Sequence, residues 1–224
     1  MVLRRPCITS SRIGSNGRLG NQMFQIAAVV GQQDRFEIRL PGWGRTEHNP
    51  WNYASYFPHL ITYPTRETLP IWEEPHFHFA PIPENGKGWD LSGYFQSEKY
   101  FESFTKEVSQ AFTFREDIVK EIKILYPDIK WSEACAIHIR RGDYVQKQDC
   151  HPLLSSFYYQ QSISLINTHT YLVFSDDLEW CQAAPFWPQR RTNRDHPSSR
   201  CGPRPRRGRE PSAPSPFRRC RRCR

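Results

Sequence analysis

No run of about eighteen apolar residues occurs anywhere in the 224 residues, so the sequence encodes no membrane-crossing helix. The opening Met1-Val2-Leu3-Arg4-Arg5-Pro6 lacks the apolar core of a signal peptide, and no Asn-x-Ser/Thr acceptor for glycosylation occurs. There is no internal repeat. Hydrophobic residues make up 38% of the chain, low for a globular protein, while prolines number 19. Taken alone, these features read as a soluble chain of one ordinary domain or two small ones.

Charge is what the sequence has in excess, and it is unevenly placed. The formal net charge is +8, yet residues 188–224 hold 13 arginines, no lysine and two acids. The residues before Pro188 hold 18 basic and 21 acidic side chains. The body is therefore mildly acidic and the basicity belongs to the tail. That tail has seven prolines and almost no aliphatic side chains, so it buries too little apolar surface to offset its chain entropy and reads as disordered. Cys220 and Cys223 have the spacing of half a zinc site, but no second ligand pair lies nearby. An arginine tail binds phosphate backbones without selectivity. Only Phe217 interrupts it as an aromatic and no recognition fold accompanies it, so no specific nucleic-acid partner is expected. Cys7, Cys135, Cys150 and Cys181 are scattered and define no disulfide framework.

The body alternates helical and strand patterns. A glycine-bearing turn, Gly14 to Gly20, leads into a mostly buried helix over Leu19 to Val30. Phe36 to Leu40 alternates as a short strand ending at Pro41. Between Gly42 and Gly88 the chain is rich in Pro, Trp, Tyr and His without periodicity. Irregular structure and short helices are expected there, with the aromatics lining a sugar-binding face or packing a small core. Asp90 to Phe95 reads as a strand, Glu98 to Phe104 as a short helix and Arg115 to Tyr126 as a longer one ended by Pro127. Cys135 to Arg140 is a strand, Ser155 to Ile166 a helix and Tyr171 to Phe174 a buried strand, together a βαβ unit with parallel pairing.

In open α/β sheets, ligands bind beyond the carboxyl ends of the strands. His138, Arg140 and Asp143 stand at one such end and Asp176 with Asp177 at the next. Arginine and histidine suit a pyrophosphate, and a carboxylate suits the N–H edge of a guanine or ribose hydroxyls. The residues alone thus point to a nucleotide or anion site. They equally allow Asp143 and Asp176 as turn and cap residues, with Arg141 paired to a surface acid.

Four segments carry a family resemblance. Gly17-Arg18-Leu19-Gly20-Asn21-Gln22-Met23-Phe24-Gln25 and Gly93-Tyr94-Phe95-Gln96-Ser97-Glu98-Lys99-Tyr100-Phe101 resemble the first and middle motifs of the galactoside α-1,2-fucosyltransferases. His138-Ile139-Arg140-Arg141-Gly142-Asp143-Tyr144 is similar to the donor-binding signature shared with α-1,6- and protein O-fucosyltransferases. Val173-Phe174-Ser175-Asp176-Asp177-Leu178-Glu179-Trp180-Cys181 is similar to the segment that follows it. The resemblance spans residues 17 to 181.

It implies an α/β, glycosyltransferase-B-like fold of two Rossmann-like domains, the second incomplete. The expected division is an N-terminal α/β domain over 1–130, on the acceptor side, a partial donor domain over 131–187 and the tail over 188–224. The implied reaction is inverting transfer of L-fucose from GDP-fucose to a galactose-terminated acceptor in α-1,2 linkage, without a cofactor or metal. Although Asp176-Asp177 has the look of a metal-binding carboxylate pair, none is expected in this family. By analogy Arg140 clamps the GDP phosphates, His138 holds the guanosine side, and Asp176 or Asp177 meets the guanine. The loop Gly17 to Gln22, with Gly20 and Asn21, closes over the donor. Asp143 and Glu98 are the two candidates for a general base. Golgi membrane placement is carried by the resemblance alone.

The sequence departs from the family after Trp180-Cys181. Members continue with further α/β units and an Asn-Ser-Ser/Thr-Phe-Ser-Trp-Trp segment that helps hold the donor phosphates, and nothing here matches it. A shifted reading frame would produce the Pro/Arg composition that stands in its place. The second reading is therefore a truncated, inactive remnant that binds nucleotide or glycan without turnover.

Overall fold

A computed structural model describes residues 5–43, 52–168 and 170–184. The tail readings, from the disorder of residues 188–224 to the Cys220/Cys223 pair, lie outside the described residues. The chain divides into two units, Met1–Leu125 and Tyr126–Arg224. Both are mixed α/β, and every strand pairing in them is parallel.

The first unit is built on four short strands, β1 (Cys7–Thr9), β2 (Glu37–Ile38), β3 (Ile71–Glu73) and β4 (Gly88–Ser92), in the order β2-β1-β4-β3. The helix α1 (Leu19–Val30) links β1 to β2 on one side, while β4 flanks β1 on the other. The strand order therefore reverses beside β1, which makes its carboxyl end a switch point. Ile8, Ile26, Val29, Phe36, Leu91 and Phe95 form the heart of the core between sheet and helix. Two further helices, α2 (Thr105–Ala111) and α3 (Glu116–Leu125), complete the unit. The last keeps no residue fully buried.

The aromatics after Gly42 divide between a buried cluster and exposed rings. Trp43 and Phe57 are buried and stack at 5.7 Å, with Phe112 edge-on to Phe57 at 5.5 Å, so this cluster packs a core. Phe77 stays exposed and rests on Tyr94 at 5.7 Å.

Several boundaries differ from those read in the sequence. The strand expected at Asp90 to Phe95 runs instead from Gly88 to Ser92. Its pairing with β3 ends at Ser92, and it could not reach Phe95, whose left-handed backbone, φ 54°, no strand continues through. Glu98 to Phe104 forms two 3₁₀ turns rather than one helix. The strands β1 and β3, each three residues long, went unread because so few positions give no period.

The second unit contains the expected βαβ unit. The strands β5 (Ala134–Ile139) and β6 (Thr170–Ser175) pair in register from Ala134↔Thr170 to Ile139↔Ser175, with α4 (Ser156–Ser164) crossing between them and α5 (Leu178–Ala183) following. Ile139, Tyr159, Val173 and Cys181 form its core, flanked by Ile137, Ile163 and Trp180. Side chains alternate along a strand, so His138 and its register partner Phe174 fall on the opposite, exposed face.

Candidate functional site

At the carboxyl end of β5 the chain leaves the sheet through Arg140 and Arg141 into a 3₁₀ turn, Gly142–Gln146. The two arginines part there. The Arg140 guanidinium reaches Asp143, with Nη2 donating to Oδ1 at 3.0 Å and Oδ2 at 3.2 Å and Nε donating to Oδ1 at 3.3 Å. It also lies over the Tyr144 ring, its carbon 4.2 Å from the centroid. His151 stacks on Tyr144 at 4.4 Å with the planes 9° apart. Two groups this close to one ring centroid must occupy opposite faces, so Tyr144 is sandwiched between Arg140 and His151.

This arrangement holds a cation at the strand end without burying it, the Arg140 side chain being 34% exposed. Planar stacking and a forked carboxylate contact fix the guanidinium plane, which suits bidentate recognition of phosphate oxygens. The hydrogen bonds from Arg140 hold the Asp143 carboxyl below the usual carboxylate range, with Lys147 adding a weaker attraction.

Arg141 is tied inward. Its backbone N–H donates to Asp176 Oδ1 at 2.8 Å, its Nε donates to Asp177 Oδ2 at 3.0 Å, and its guanidinium carbon lies 4.2 Å above the Trp180 ring. Asp177 also caps α5 by accepting the Trp180 N–H at 3.0 Å, and its own N–H donates to Ser175 Oγ at 2.9 Å. The Trp180 N–H, then Arg141, hold the Asp177 carboxyl below its ordinary range. Gly142 lets this junction close, since a Cβ there would stand 2.5 Å from Asp176 Oδ2. Of the residues read from the sequence, Arg140, Asp143, Asp176 and Asp177 gather at the ends of β5 and β6, while His138 lies within β5 on its exposed face. Arg140 offers the exposed cation, and Asp176 and Asp177 brace the loop that carries it.

Gly20 and Asn21 belong to the first unit, at the start of α1. The loop before them is secured from below by two buried glutamines. Gln22 Nε2 donates to the Gly17 carbonyl at 2.9 Å, and Gln25 Nε2 donates to that of Asn16 at 2.9 Å. The Trp43 indole N–H donates to Gln22 Oε1 at 2.6 Å, which satisfies the buried amide on both sides. Asn21 Oδ1 accepts from Gln96 Nε2 at 2.5 Å, joining the first sequence motif to the second. The second motif then lies along α1: Phe24 meets Phe101 at 6.2 Å, and Gln32 Nε2 donates to the Tyr100 carbonyl at 2.9 Å.

Sequence reading missed Tyr144, His151, Trp180, Glu74 and Gln96 as parts of these arrangements. Tyr144, Trp180 and Gln96 stand within the quoted motifs and were open to detection there, whereas Glu74 and His151 lie outside them. Among the described residues no group of three or more His, Cys, Asp or Glu side chains is arranged to hold a metal ion. No described helix is long and apolar enough to cross a membrane.

An oriented guanidinium at the carboxyl end of a parallel strand pair stands where open α/β sheets place their ligand sites. The model of glycosyl transferase family 11 matches residues 5–184, and the chain belongs to that family. It is also 35% identical over 100 residues to an alpha-1,2-colitosyltransferase of Escherichia coli, a match covering 42% of this chain and 34% of that protein. The chain thus spans about a third of the length of this curated relative. No solved structure gives a significant match.

Proposed function

We propose that the chain serves inverting transfer of L-fucose from GDP-fucose to a galactoside in α-1,2 linkage, with Arg140 as the group that meets the donor phosphates. The observation carrying this reading is the orientation of Arg140 at the end of β5 by Asp143 and Tyr144. The family resemblance supplies the donor and the linkage. Family membership supports a sugar-nucleotide donor and a glycan acceptor in general.

As the bond between the sugar's anomeric carbon and the β-phosphate oxygen breaks, negative charge gathers on the phosphate and positive charge on the ring. A pre-set guanidinium stabilises the departing phosphate with no metal, and loss of one such contact typically costs about a hundredfold in rate. The acceptor hydroxyl attacks the opposite face of the anomeric carbon and gives its proton to a base or to water. Asp143, held ionised by Arg140, is a weak base while that pair lasts, and its role in this reading is to orient Arg140. Glu98, exposed on the first unit, is the other carboxylate for the task. The glycosyltransferase-B arrangement, the donor contacts of His138, Gly20 and Asn21, the guanine contact of Asp176 or Asp177 and a Golgi location belong to the same reading.

Calorimetry of GDP binding at physiological salt, beside Arg140→Ala, tests it. Saturable binding abolished by the substitution, followed by transfer to a galactoside, supports the reading. Binding that Arg140→Ala abolishes, without turnover, favours the inactive remnant. Binding indifferent to Arg140 defeats both. The name of the colitosyltransferase relative favours a second donor sugar, so a colitosyl donor belongs in the same assay.

A further inference from the structure

A carboxylate that the sequence motifs do not contain organises one of them. Glu74 follows the edge strand β3, and its Oε2 accepts the backbone N–H groups of Tyr94 at 2.8 Å and Phe95 at 2.9 Å. Its Oε1 accepts the Tyr100 hydroxyl at 3.1 Å, and that hydroxyl in turn accepts the Ala80 N–H at 3.1 Å. Gly93 makes the approach possible, because a Cβ there would stand 2.5 Å from the Glu74 Cβ. Both termini of the Gly93 to Tyr100 segment are thus fastened to one side chain.

Between these fastenings sits Phe95, the one non-glycine among the described residues with a left-handed backbone. A bulky residue holds that conformation only where its surroundings over-determine it. The surroundings here are the Glu74 oxygen on its N–H and a buried ring set 6.0 Å from Trp72 and 5.2 Å from Tyr100. The reversal at Phe95 turns the next side chain, Gln96, toward α1, where its Nε2 meets Asn21 Oδ1 at 2.5 Å. An uncharged acceptor in place of Glu74 would hold the two backbone donors less strongly.

We propose that Glu74 is the positioning residue of the Asn21 loop, acting through the Tyr94–Phe95 turn and Gln96. The catalytic consequence rests on the reading that Asn21 meets the donor; the placement of Gln96 does not. Any loss at Glu74 releases Gln96, and the loop Gly17 to Gln22 is then held from below by Gln22 on Gly17 and, just before it, by Gln25 on Asn16.

The test uses the full isotope-labelled chain with Glu74→Ala, Glu74→Gln, Gln96→Ala and the Glu74→Ala/Gln96→Ala double variant. In the parent chain the Gln96 and Asn21 side-chain amides should give NMR resonances displaced from those of free amides. Glu74→Ala should return both to free-amide positions, and Glu74→Gln, which keeps the volume and one acceptor oxygen, should return them part of the way. Unmoved Gln96 and Asn21 resonances in Glu74→Ala overturn the proposal. Should that variant not fold, unmoved resonances in Glu74→Gln do so. In donor kinetics each single variant should raise KM for GDP-fucose about tenfold with kcat little changed, as for one lost hydrogen bond. The double variant should be no worse than the more damaged single, since the residues act in series. Additive losses overturn the series. A parent chain without transfer would count against the proposed function, and the amide resonances would then decide the role of Glu74 alone.

Discussion

Arg141 stands with its guanidinium carbon 4.2 Å above the Trp180 indole while its Nε donates to Asp177 at 3.0 Å. Its neighbour Arg140 faces Asp143 and Tyr144 instead. Two consecutive arginines at one strand end therefore do different work, one joining the ends of β5 and β6 and one offering a cation outward.

Substitution should separate those tasks. Arg141→Ala loses a stacked, partly buried cation and leaves Asp177 half-paired, so the second unit should lose about 2 kcal/mol of stability. Arg140→Ala should leave stability nearly unchanged and abolish GDP binding. Thermal unfolding and calorimetry on the two variants check this. Equal melting temperatures for the two variants would show that Arg141 does not hold the junction.

The buried amide of Gln22 makes a second expectation. Gln22→Met keeps the side chain's length and apolar stem but strands the Trp43 N–H and the Gly17 carbonyl. A buried donor left without a partner costs about 1–3 kcal/mol, so the first unit should be destabilised by that order. The Trp43 indole proton should also lose protection in hydrogen exchange. If stability and protection both persist, water or a neighbour reaches the indole and the amide is not what anchors the loop.

The longer elements were legible because they carry enough residues for a period to show. The helix α1 was read with its observed bounds, and β5, α4 and β6 emerged within a residue or two as a parallel βαβ unit. Three-residue strands carry little such signal: β1 is defined by its pairing with β2 and β4, and β3 by its pairing with β4, whereas β2 was read through the alternation that surrounds it. That the polar residues after β5 and β6 adjoin was legible, since parallel pairing of the two strands brings their carboxyl ends together. Their partners were not. Nothing in the order of residues says that Arg140 turns to Tyr144 while Arg141 turns to Trp180, or that Glu74, some twenty residues upstream, fastens the Gly93 to Tyr100 segment. Those choices are made by side-chain direction after the backbone is set.

Asp177 gives the second unit an acid limit. Its carboxyl is depressed by the Trp180 N–H and by Arg141, so its contribution is complete above the ordinary aspartate range and is lost as pH falls through the depressed folded value. Stability should therefore fall below about pH 4. Asp177→Asn should cost about 1 kcal/mol at pH 7, a figure kept small by solvent screening of a partly exposed pair. The gap between variant and parent should close on acidification. Denaturant midpoints at pH 7 and pH 3 measure it, and a gap that stays constant with pH would assign the acid loss to other groups.

The two glycines of the first motif should respond oppositely to alanine. Gly17 has φ +73°, and a Cβ there would stand 2.0 Å from Asn21 Nδ2. Gly17→Ala meets both the left-handed penalty, about 1–2 kcal/mol, and a collision that pushes Asn21 from Gln96. Gly20 lies in the first turn of α1 with nothing within 4 Å of its would-be Cβ. Gly20→Ala should therefore fold at least as well as the parent, gaining up to about 1 kcal/mol from helix propensity. Its donor KM then isolates function from folding. A KM raised with stability intact would place the donor against Gly20, whereas an unchanged KM would leave Asn21 as the motif's contact and Gly20 as a small residue at the helix start.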